Sequence, residues 1–167
     1  MTEDSTSAQP QRVLLSTRAE YLGAMQQLIG LVQRELRIFD ADFSELQIDS
    51  RRTHELLHAF LLQGRDNRLY IAVHNTYYVR NYCPRLLDLL RQFSDRMFIH
   101  QTEGDAARIQ DCLVLADRLH FVRRPVQAQP RAVLRLNDEQ ESQGIYLRFA
   151  EIWESSSPAV SATTSGL

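Results

Sequence analysis

The chain has 167 residues, 44% of them apolar and 24% charged, which is the make-up of an ordinary globular domain long enough to bury a real core. Its net charge of −2 supplies no global attraction toward nucleic acid or an anionic membrane. All 19 basic residues are Arg, so a phosphate loop ending in Gly-Lys-Ser/Thr and every Schiff-base mechanism are excluded.

The opening MTEDSTSAQPQR lacks the apolar h-region of a signal peptide, and residues 1–12 read as a disordered leader. Thr17 and Glu20 have the spacing of a capping box. Behind them Leu22, Met25, Ile29, Val32 and Leu36 recur every three or four residues as one buried helical stripe. Glu35–Phe39 then changes to an extended pattern and ends at Asp40-Ala-Asp42, carboxylates placed where ligands often sit in α/β proteins. Arg51–Gln63 reads as a second helix stopped by Gly64. Arg68–His74 is apolar and β-branched enough for a central strand buried on both faces. A third helix starts near Pro84, Met97–His100 forms the next strand, and Gln101–Ala107 a polar loop.

Two short apolar strands follow, Cys112–Ala116 and Leu119–Val122. Asp117-Arg118 between them suits a tight hairpin turn, although the preferred Asp-Gly or Asn-Gly is missing. Ala132–Leu136 is a further strand. Asn137 with Gln140 has N-cap and N3 spacing for a last helix that buries Ile145, Phe149, Ile152 and Trp153. The Ser/Thr-rich ending, residues 156–167, reads as a loose tail, which leaves residues 13–155 as a single domain. No apolar run approaches a membrane span. Cys83 and Cys112 are too few for a disulfide framework and are expected to stay reduced. The expectation is a soluble cytoplasmic protein without membrane contact and with no cofactor.

This order, β-α-β-α-β, then a hairpin, another strand and a closing helix, argues for an α/β fold. The expected sheet is mixed, mostly parallel and flanked by helices. The segment RIQDCLVLADRLHFVRR (Arg108–Arg124) and the closing Leu147-Arg-Phe-Ala-Glu-Ile-Trp resemble the strand pair and the Phe-x-x-x-Trp helix ending of the phospholipase D-like superfamily. There, a strand bearing His-x-Lys runs four more residues to an Asp. Laid over this chain, the His position falls on Gln110, the Lys position on Cys112, and Asp117 keeps its residue. An amide cannot attack phosphorus as an imidazole does, and a thiol carries no cation for phosphate. The resemblance therefore implies a single phospholipase D-like half whose catalytic residues are lost, acting as a non-catalytic binding or assembly module, as a homodimer or docked on a protein partner. It is similar to uncharacterised bacterial domains sometimes fused behind an acetyltransferase of the GNAT type.

Several motifs offer other chemistry. His54-Glu-Leu-Leu-His58 matches H-E-x-x-H, in which two imidazoles on one helix face hold Zn²⁺ and Glu55 activates water. Arg51 and Arg52 stand directly before it, and Gly64 occupies the third-ligand position, so the expectation is a half-buried helix border and no bound metal. Asp40, His74-Asn75 and His100 end strands, and with Gln110 they form a candidate ligand crevice if those strand ends converge. From Arg108 to Arg135 there are six Arg against Asp111 and Asp117, a local charge of +4. Arg118, Arg123, Arg124 and Arg131 there are candidates to hold a phosphate or nucleic-acid backbone. Phe121 is the only aromatic residue of that stretch, so the stacking half of a single-strand surface is missing and nucleic acid is disfavoured.

Overall fold

The computed structural model describes residues 8–162. The order of elements is β1 (Gln11–Leu15), α1 (Arg18–Leu31), β2 (Glu35–Asp40), α2 (Arg51–Gln63), β3 (Arg68–Val73), α3 (Tyr77–Tyr82), α4 (Pro84–Gln92) and β4 (Met97–Thr102). A 3-10 turn (Gly104–Arg108) leads to β5 (Cys112–Ala116), β6 (His120–Arg124), β7 (Ala132–Leu136), α5 (Glu139–Glu154) and β8 (Ser156–Val160). The strands form one sheet in the order β1–β7–β6–β5–β2–β3–β4–β8.

Only the β2–β3 and β3–β4 pairings are parallel among the described residues. All the others are antiparallel, so the expectation of a mostly parallel sheet is corrected. Helical crossovers enforce parallel pairing, and only α2 and the α3–α4 pair make such crossovers. The consecutive strands β5, β6 and β7 carry no helix between them and run antiparallel.

Both ends of the expected domain also move outward. Gln11 and Arg12, expected in the leader, open an edge strand, Gln11–Leu15, on β7; Ser156–Val160, expected in the tail, forms an edge strand on β4. Edge strands can be short and polar because only one side of their backbone is paired, so their sequences lack an apolar signal. Of the expected leader and tail, residues 1–7 and 163–167 lie outside the described residues.

Local chemistry accounts for most helix ends. Thr17 accepts the Glu20 amide, and Glu20 takes the Ser16 amide and the Thr17 hydroxyl. At α5 the cap is Asp138, which accepts the Glu141 amide. Asn137, the expected cap, sits at φ 56° with its amide donated to His120 Nδ1. Gly64 ends α2 in extended conformation. A Cβ there would meet Asn67 Oδ1 at 2.9 Å, and that Asn donates to the Phe60 carbonyl.

Helices are distributed unequally over the two faces. One face of the sheet packs against α1, α2, α3 and α4 around Leu36, Ile38, Ile71, Val114 and Val122. The opposite face packs Phe39, Ala72, Leu113, Leu115 and Phe121 against α5 alone.

The turn of the β5–β6 hairpin uses Asp117 and Arg118 at φ 56° and 52°, the left-handed pair a tight hairpin needs and Asp tolerates. Asp117 also reaches across to the start of β2. Its carboxylate accepts the amides of Gln33, Arg34 and Glu35 at 2.7, 2.8 and 3.1 Å. Replacing it by Ala removes all three charge-assisted bonds and adds strain at positive φ. Asp117→Ala is expected to cost about 2–4 kcal/mol, read as a lower urea midpoint at unchanged m-value.

Candidate functional site

The family pattern divides between the two ends of β5. Asp117 lies at the hairpin turn, about 16 Å of strand from Cys112, and serves the clamp on β2. Gln110 is exposed before the strand begins, and its carbonyl accepts the Gln127 amide. Cys112 points inward, fully buried on the face covered by α1 to α4. The structure therefore does not gather Gln110, Cys112 and Asp117 into one centre.

Around Cys112 lies a buried polar group that sequence reasoning only half found. Arg124, its direct cross-strand partner, is 1% exposed and donates toward the Cys112 sulfur at 3.8 Å. The guanidinium stands 5.2 Å from the centre of the Tyr21 ring and 3.9 Å from Glu45. Asp40, also buried, accepts the amides of Asp42 and Phe43 on Oδ2 and interacts with Cys112 and Arg124. Burial pushes the Asp40 carboxyl above its ordinary range, opposed by those hydrogen bonds and by Arg124. Burial and the neighbouring Asp40 push the Cys112 thiol up to about 12, so it carries essentially no thiolate at neutral pH.

Loop 41–50 closes this cluster from above. Phe43, Leu46 and Ile48 are buried, and Phe43 is held at φ 70°, a costly conformation for a bulky residue. The Asp40 hydrogen bond to the Phe43 amide fixes that geometry and turns the ring into the core. Arg18 and Arg124 share Glu45 from this loop. Tyr21 and Glu45 were invisible as site residues in the sequence, since each reads as part of an ordinary helix or loop.

The candidate crevice does not assemble. Alternation along the strands sends Asp40 to the Cys112 face, while His74 and His100 point to the α5 face. His74 has both nitrogens occupied, Nδ1 with Thr102 Oγ1 at 2.5 Å and Nε2 with the Ile109 carbonyl at 2.6 Å, and it packs edge-on against Phe39. It ties the end of β4 to the segment entering β5. His100 stacks on Trp153 at 3.7 Å and bonds Ser156 through Nδ1; burial holds its pKa below the usual histidine value. Asn75 accepts the Tyr77 amide at the start of α3.

The remaining candidates disperse as well. His54 and His58 stack on one another, and His58 abuts Phe93. Glu55 pairs with Arg51, and no third His, Cys, Asp or Glu completes a metal-binding group among the described residues. Arg118 lies over the Tyr146 ring at the hairpin turn, Arg124 is buried, and Arg131 is exposed at the start of β7. Arg123 shares Asp111 with Arg148, at 3.2 and 3.0 Å. These four arginines make no single patch.

The fold is similar to that of solved structures that include phospholipase D family members. It is similar to Nuc, a phospholipase D family member from Salmonella typhimurium, with a TM-score of 0.67 at 10% identity over 92% of this chain and 100% of that one. NucT from Helicobacter pylori gives 0.58 at 10% identity over 90% and 100%. Phosphatidylserine synthase of Haemophilus influenzae gives 0.57 at 14% identity over 95% and 41%. TrmBL2, an archaeal chromatin protein described with a novel mode of DNA binding, gives 0.67 at 10% identity; the match covers 95% of this chain and 56% of TrmBL2. In sequence, residues 17–162 match the domain of unknown function DUF7931, and the chain belongs to that family. None of the curated proteins matches it in sequence.

Two measurements check this geometry. Cys83, also raised to about 12 by burial, and Cys112 are expected to resist Ellman's reagent in the native protein and both to react once it is unfolded. Arg124→Met is expected to cost about 3–5 kcal/mol by leaving buried acid without its counter-charge. Combining it with Asp40→Asn should recover part of that loss; strictly additive losses in urea unfolding would show that the two groups are not coupled.

Proposed function

We propose that this domain is a phospholipase D-like module that binds or assembles without hydrolysing phosphodiesters. One observation carries the reading. Where relatives by resemblance place a lysine, this chain has a neutral thiol sealed beneath loop 41–50 and neighboured by Asp40 and Arg124. The nearby guanidinium of Arg124 is 1% exposed and is turned toward the Cys112 sulfur, Glu45 and the Tyr21 ring instead of solvent, with its Nε making no hydrogen bond among the described residues. The neighbouring position, Gln110, has no imidazole to act as nucleophile. The zinc reading has no comparable support, since Glu55 is engaged by Arg51.

The unit also occurs at two scales, matching all of Nuc and NucT but 41% of phosphatidylserine synthase. An assembly role, with a second copy or a fused or separate protein domain as partner, suits such a unit. The DNA binding described for TrmBL2 belongs to that protein and enters here only as something to test.

The expected outcome is no turnover of bis-p-nitrophenyl phosphate above buffer at any pH between about 5 and 9, a range that spans imidazole titration. Turnover that is abolished by Gln110→Ala or by Asp117→Asn would overturn the proposal.

A further inference from the structure

One helix cannot cover an eight-stranded sheet. At ~4.8 Å per strand the sheet is about 34 Å wide, whereas a helix with its side chains is ~10–12 Å across. On the α5 face the strands β1, β7 and β6 are therefore left beside the helix as an open groove of about 500 Å³. Arg12, Arg123, Arg135 and Arg148 line it, above a floor that includes Phe121 and Ile145. We propose that this groove binds the phosphate group of a small organophosphate, clamped between Arg12 and Arg135. The proposal extends the binding-module reading to a site across the sheet from Cys112.

The register of the sheet is the first argument. Arg12 on β1 faces Arg135 on β7, and Arg135 faces Phe121 on β6, so two cations stand directly opposite in one cross-strand row. Like charges in that position destabilise a sheet. Arg135 is offset by Asp138 at 3.1 Å; Arg12 has no ion-pair partner among the described residues. An anion between them removes the repulsion.

The second argument is the orientation of the other pair. Arg123 and Arg148 bond separate oxygens of Asp111, whose carboxylate is 2% exposed. One negative charge held between two positive ones leaves an excess of one, and each guanidinium has further N–H donors to offer. Both are fixed by a buried anchor, which lowers the entropy lost when they bind a ligand.

The chemistry of the ligand follows from these donors. Guanidinium forks match the oxygen pairs of phosphate bidentately, and the more accessible apolar lining, Pro125 and Val133, accepts an organic body. The volume is that of small-molecule sites. A polynucleotide is less suited, because the arginines are confined to one groove with Glu141 on its lining. Phe121, moreover, is only 5% exposed, too little to stack a base. Gly144 of α5 also borders the groove, and a Cβ there would meet nothing within 4 Å, so the helix side is open to a ligand.

Phenyl phosphate titrated calorimetrically into the full chain at low salt is the test, with inorganic phosphate and oligothymidylate as further arms. Saturable binding of phenyl phosphate, tighter than that of inorganic phosphate, is expected. Arg12→Ala should weaken it about tenfold, the loss of one charge-assisted contact. Because Arg12 is exposed on an edge strand, that variant tests binding without threatening the core. Arg135→Lys should weaken binding too, by replacing a fork with a point charge. Arg51→Ala, on α2, is the control and should leave binding unchanged.

Absence of saturable binding, or equal effects of Arg12→Ala and Arg51→Ala, overturns the site. Oligothymidylate that binds more tightly per phosphate than phenyl phosphate overturns the small-ligand assignment in favour of a polynucleotide. Failure here leaves the sealed Cys112 centre as it stands, and turnover in the diester assay would leave the groove untouched.

Discussion

A guanidinium cannot be neutralised at any ordinary pH, so burying one obliges the chain to surround it. Arg124 meets that obligation with the Tyr21 ring, the Cys112 sulfur, Glu45 and the nearby Asp40. Those residues come from α1, β5, β2 and the loop after β2, so one buried cation draws four parts of the chain to the same strand ends. Desolvating such an ion costs several kcal/mol even after relaxation, and it is tolerable only while the loop stays down. The strained Phe43 backbone and the hydrogen bonds Asp40 makes to that loop are consequences of the same closure. In many α/β folds the strand ends are where a ligand enters; here they are interior.

The unequal helix cover gives the two faces different capacities. Four helices pack one face into a continuous apolar core, within which Asp40 and Arg124 are buried beside Cys112. The other face has α5 alone, and whatever chemistry can reach solvent from the sheet must use the strands that α5 leaves uncovered. Aromatic stacking anchors the covered part. Trp153 lies between His100 and Tyr70 and seats the end of the helix, where the Phe149–Trp153 ring contact gives the Phe-x-x-x-Trp spacing a packing role.

Much of the candidate chemistry dissolved on one geometrical fact, that successive strand residues point to opposite faces. Asp40 ends β2, His74 directly follows β3 and His100 lies inside β4, which runs on to Thr102, yet Asp40 joins Cys112 while the two histidines join the α5 face. Of the four arginines singled out, Arg123 and Arg124 were separated by the same alternation, with Arg123 facing the groove and Arg124 the core, while Arg118 lies in the hairpin turn and Arg131 before β7. Arg12, Arg135 and Arg148 were passed over because their juxtaposition is created by cross-strand register and by the docking of α5, neither of which leaves a local mark.

What the amino-acid order determined by itself was local. Helices α1, α2, α4 and α5, the strands from β2 to β7 and the Asp117 turn follow from apolar periodicity, capping residues and tolerance of left-handed φ, all of which act over a few residues. The absence of lysine and the residues at the family positions were equally plain. Tertiary structure alone decided the antiparallel majority of the sheet, the recruitment of both edge strands, the sealing of Cys112 by a distant loop and the grouping of arginines beside α5. Each of those depends on backbone pairing or charge burial between segments far apart in the chain, where no local preference distinguishes a partner from a neighbour.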